Sequence, residues 1–131
     1  MAPVIAAAIG VAIIAATVAF TLLSYGRLPE RIPIHFGIDG VANGFARREA
    51  IWLMVGLQLI LAATYAVLYA SAIGLRGLIF FGVSVLAVCA WGQYLIISAA
   101  SDGTNRIRVW QFWSGFAVIF AIGILALQAA R

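Results

Sequence analysis

Apolar positions in this chain run on with almost no polar interruption. Four stretches stand out: Val4 to Tyr25, Ile51 to Ala70, Leu78 to Ala100 and Ile107 to Ala130. Each reaches the roughly 20 residues that an α-helix needs to cross a hydrocarbon core. The pattern predicts an all-α integral membrane protein, a four-transmembrane-helix bundle in a single membrane domain over residues 1–131. A cleaved leader would want a basic segment ahead of its apolar core. No basic side chain precedes Arg27, so the first stretch reads as a permanent span.

Polar positions collect in three connections. Ser71 to Gly77 is tight and carries Arg76. Ser101 to Asn105 reads as a turn, with Gly103 ending the third helix and Thr104 or Asn105 capping the fourth. The first connection, Gly26 to Ala50, is the long one. Pro29 and Pro33 bias Leu28 and Ile32 away from helix and remove two backbone donors. Gly37, Gly40 and Gly44 supply turns. Ile32 to Phe36 is therefore expected to be extended and followed by turns, with room for a small hairpin. The expectation is one structured Pro/Gly-rich loop between the first two helices.

Composition changes the picture only by fixing the solvent. The chain has 131 residues, 66% hydrophobic and 9% charged, with a mean hydropathy of +1.14. A soluble domain carries about 25% charge, so the solvent here is lipid. The net charge of +4 comes from arginine alone. Those arginines sit in short connections, which matches anionic headgroups and membrane lipids as partners, and not nucleic acid. Arg27, Arg31, Arg47, Arg48, Arg106 and Arg108 fall on one side, and Arg76 and Arg131 on the other. The positive-inside rule then places loops 26–50 and 101–106 in the cytoplasm and both termini outside a bacterial inner membrane. Trp52, Trp110 and Trp113 lie near the arginine-rich face as interfacial anchors.

Chemistry has few carriers. His35 with Glu30 and Asp39 is the one set that could act as acid and base. No activated nucleophile or metal set accompanies it, so we expect a structural histidine in a folded loop, no catalysis, no metal and no cofactor. Cys89 lies alone in an apolar run and can form no internal disulfide. The spans hold no Asp, Glu, Lys, Arg or His at membrane depth, which argues against a pump or proton-coupled carrier. What they do hold is small residues at four-residue spacing: Ala6 and Gly10, then Ala8, Ala12 and Ala16 in the first, and Ala62, Ala66 and Ala70 in the second. Such residues let helices approach closely. Gln58 and Gln93 are candidates for hydrogen bonds between helices.

Leu28, Pro29, Glu30, Ile32, Pro33, His35 and Phe36, then Gly40, then Asn43, Gly44 and Phe45 form an ordered motif. It resembles the bacterial membrane domain of unknown function found at the start of SdpI-type immunity proteins. The chain departs from that pattern at Gly37, Asn43, Arg47 and Arg48, and has fewer spans than the fuller immunity proteins. The resemblance implies a non-enzymatic integral membrane protein; in the family's best-known members it implies protection against a secreted toxin, with signalling to a cytoplasmic repressor. Two function classes follow. One is a binding or immunity protein that presents the His35 loop. The other is an accessory subunit of a larger respiratory or photosynthetic membrane complex, its helices packed on a membrane-protein partner or a second copy. A small-molecule carrier is a weaker third for want of buried charge.

Overall fold

The computed structural model describes residues 2–71 and 78–129. The expected tight connection at Ser71–Gly77, with Arg76, lies mostly outside the described residues, as does Arg131. The element order is α1 (Ala2–Tyr25), β1 (Arg31–Phe36), β2 (Ala42–Arg47), a 3-10 turn (Arg48–Ile51), α2 (Trp52–Ala70), α3 (Leu78–Ser101) and α4 (Val109–Ala129). All four helices are long and apolar enough to cross a membrane.

α3 is the hub: α1, α2 and α4 all pack on it. In lipid, burial gives helices little drive to associate, so close approach and hydrogen bonds must supply it. On the α4 side, close approach comes from glycine. A Cβ on Gly115 would collide with the Trp91 indole, and one on Gly123 with the Ser84 hydroxyl. On the α1 and α2 side, hydrogen bonds contribute. Gln58 of α2 donates to Thr17 Oγ1 (3.3 Å) and to the Leu86 carbonyl (3.1 Å). Gln93 of α3 donates to Thr21 Oγ1 (3.0 Å) and to the Ile51 carbonyl (2.9 Å). Each threonine hydroxyl donates to the carbonyl four residues back, Thr17 to Ile13 and Thr21 to Thr17. Its lone pairs are therefore turned toward the glutamine. Both glutamines are buried, and the oxygens of both amides lack a partner.

This asymmetry gives a prediction. Thr21→Val keeps the shape but strands a buried Gln93 N–H, at an expected cost of about 1–3 kcal/mol. Gln93→Leu removes the donors together with the unpaired oxygen and should cost less. The double change should recover part of the Thr21→Val loss. Denaturant titration of the four proteins in mixed micelles reads the cycle; strict additivity would mean that the two side chains do not interact.

The polar interval is more regular than the expected loop. β1 and β2 pair antiparallel, with Arg31 opposite Arg47, Ile32 opposite Ala46 and Pro33 opposite Phe45. Both strands of a two-stranded sheet are edges, which is where proline is tolerated. The fold is thus four helices plus a β-hairpin, and the all-α expectation is corrected to that extent. The third connection also differs from the expected capping turn. Asn105 takes a left-handed backbone (φ 49°) and α4 starts only at Val109. Asn105, Arg106 and Ile107 pair with the hairpin, and the Arg108 carbonyl takes the first helix bonds, from Gln111 and Phe112 N–H.

Candidate functional site

The hairpin closes one end of the bundle. Ile32 is fully buried and joins Leu28, Ile51, Ile97 and Ala100 in one apolar cluster, flanked by Phe20, Tyr25, Trp52 and Ile96. One face of the hairpin therefore belongs to the helix core. Backbone bonds close the hairpin's base and attach its tip. Arg48 N–H donates to the Glu30 carbonyl (2.9 Å), closing the base. At the far end, Ala42 N–H donates to the Asn105 carbonyl and Ile107 N–H to the Gly40 carbonyl, both at 2.9 Å, around a bridge between Val41 and Arg106.

The turn is built from its sequence. Gly40 has φ 76°, a conformation glycine adopts without a Cβ penalty. Asp39 Oδ1 accepts from Val41 N–H at 3.1 Å, and Gly37 N–H donates to the Val41 carbonyl at 2.8 Å. Asp39 is thereby a turn residue. His35 Nδ1–H donates to Asn43 Oδ1 across the strands. The histidine lies over Gly44, where any Cβ would press on its own Cβ at 2.9 Å. This explains the Asn43–Gly44 pair opposite His35.

The motif divides by face. Leu28, Ile32, Pro33 and Gly40 are buried; Phe36 and Gly44 are half-buried; Pro29, Glu30, His35, Asn43 and Phe45 are exposed. Glu30, Asp39 and His35 do not converge, since Asp39 bonds in the turn and His35 bonds Asn43. The exposed side chains of the hairpin include Arg31, Ile34, His35, Asn43, Phe45 and Arg47, apolar and basic together.

The small residues of the spans divide too. Gly10 faces Leu86 and Val83 of α3, and Ala6 is buried. Ala8, Ala12 and Ala16 are exposed on the opposite side of α1. Ala62 and Ala66 line an apolar cleft of about 490 Å³ between α1, α2 and α3, with Tyr65, Tyr69 and Gly82. Sequence reasoning did not single out Thr17, Thr21 and Ser24, which form one buried polar row on α1. Their i, i+4, i+7 spacing was the available signal.

Four spans and a surface hairpin define a multi-pass membrane protein. Residues 12–59, from the middle of α1 through the hairpin into α2, match the family model described as a domain of unknown function (DUF1648). No curated protein and no solved structure matches the chain.

Proposed function

We propose that this protein is non-enzymatic and acts by contact with another protein at the bilayer surface, as an SdpI-like binding or immunity protein. One observation carries the reading. The hairpin is tied at its tip to the third connection and seated through Ile32 on the helices, its own two ends are joined by the Glu30–Arg48 bond, and it leaves Arg31, Ile34, His35, Asn43, Phe45 and Arg47 exposed. A backbone tied down in this way, with His35 bonded to Asn43, has less freedom to lose when a partner binds. The six arginines at this end support a cytoplasmic side in a bacterial cell by the positive-inside rule. A repressor or other soluble partner would meet it there.

A second reading, the accessory subunit, has its own support. α4 packs chiefly on α3 and leaves Trp113, Val118, Ile122 and Leu125 exposed. Photoreactive residues at Phe45 and at Leu125, one at a time in living cells, separate the two. The first reading expects a protein adduct from Phe45 that is lost with Asn43→Ala and His35→Ala. The second expects adducts from Leu125 that survive those changes. Lipid adducts alone from both positions would sink both readings.

A further inference from the structure

Three arginines and two glutamates gather at the base of the hairpin. Glu30, Arg31, Arg47, Arg48 and Glu49 line one polar pocket of about 480 Å³. Arg31 and Arg47 are direct cross-strand partners. Like charges in that position repel each other and weaken a hairpin. Among the described residues the only ion pair is a long one, Arg48 Nε to Glu49 Oε1 at 3.9 Å, with both side chains exposed to water. It does not engage Arg31 or Arg47.

The pocket is also placed. The Arg48 guanidinium lies 5.1 Å above the centre of the Tyr25 ring, and Tyr25 packs on Trp52 with ring centroids 6.1 Å apart. Tyr25 ends α1 and Trp52 begins α2. A tyrosine–tryptophan pair at helix ends marks headgroup depth in a bilayer. A cation stacked on such a ring is partly pre-oriented before any ligand arrives.

We propose that this pocket binds the phosphodiester of an anionic membrane phospholipid. Guanidinium groups match phosphate oxygens in geometry and can grip them with paired N–H donors. An anion between Arg31 and Arg47 turns their repulsion into a shared attachment. Three arginines against two glutamates leave one net positive charge, which a singly charged phosphodiester neutralises. A doubly charged phosphate monoester would overshoot, and its approach would be opposed by Glu30 and Glu49. The depth of Tyr25 and Trp52 favours a phosphate delivered by a lipid over one from the cytosol.

Native mass spectrometry of the full chain, delipidated in detergent, tests the assignment. The probes are phosphatidylglycerol, phosphatidylcholine, diacylglycerol and inorganic phosphate. Phosphatidylglycerol should be retained at least tenfold more than diacylglycerol, which has no phosphate, or phosphatidylcholine, whose phosphodiester is the same but brings a choline cation up to the three arginines. Arg31→Gln with Arg47→Gln should abolish that preference. Arg106→Gln with Arg108→Gln removes the same charge outside the pocket and should leave it intact. Arg47→Gln alone serves if the first pair does not accumulate, and should reduce the preference severalfold. Equal loss in both pairs means diffuse charge attraction and overturns the site. Displacement of the lipid by millimolar inorganic phosphate overturns the lipid as the source. Retention of diacylglycerol equal to phosphatidylglycerol places binding in the apolar grooves and overturns the proposal as well.

Discussion

Gly40→Ala should unseat the hairpin tip and cost about 2–5 kcal/mol. Two penalties combine. Gly40 holds φ 76°, and a Cβ in the left-handed region costs roughly 1–2 kcal/mol. That Cβ would also collide with the Ile107 carbonyl oxygen, a backbone atom that cannot swing aside. Crowding of this kind adds about 1–3 kcal/mol. Gly103→Ala is the control. It too has a positive φ, 67°, but nothing lies within 4 Å of its added Cβ. The difference between the two variants isolates the collision. Denaturant titration in micelles gives the energies. Hydrogen exchange should rise at Ala42 and Ile107, whose N–H groups tie the tip. Equal losses in the two variants would show that the third connection does not rest on the turn.

Ile32→Ala should cost about 2–5 kcal/mol, the range for emptying a buried aliphatic site. Ile32 is 0% exposed between helices, strand and 3-10 turn. The resulting void would have to be closed by elements from four parts of the chain, so little relaxation is available. Ile38→Ala is the matched comparison: the same side chain at the turn, 101% exposed, expected to change stability by less than about 0.5 kcal/mol. If both changes were equally mild, the hairpin would be a loose flap and not a closure of the bundle.

The four helices are legible in the sequence because the cost of burying unpaired backbone in lipid forces long apolar runs into helices. Their rotations are much less so. In water, a helix shows its buried face by contrast with a polar one. In lipid both faces are apolar, so Ala8, Ala12 and Ala16 looked as suited to packing as Ala6 and Gly10. The structure turns the first set outward. Gln58 and Gln93 stood out as isolated polar groups in apolar runs, but their partners Thr17 and Thr21 did not, since threonine is common in spans and often bonds its own helix. In the first connection, the prolines and glycines announced extended chain and turns. They carried no information about Asn105 and Ile107, because a bridge between distant segments leaves no local spacing to read. The same holds for the five charged residues at the base of the hairpin. Arg31 and Arg47 become neighbours only through strand register.

The pairing of Val41 with Arg106 joins positions sixty-five residues apart in the chain. Ile97 and Ala100, which seat Ile32, are also made long after it. On the ribosome, then, the hairpin emerges with neither its tip brace nor the α3 part of its floor. It must wait, next to the translocation machinery, while α2 and α3 are threaded into the bilayer. Only when residue 107 has cleared the exit tunnel can the tip be tied down. Maturation of the surface is thus a late event in biogenesis, and a nascent chain stalled before that point would carry the motif without its finished shape.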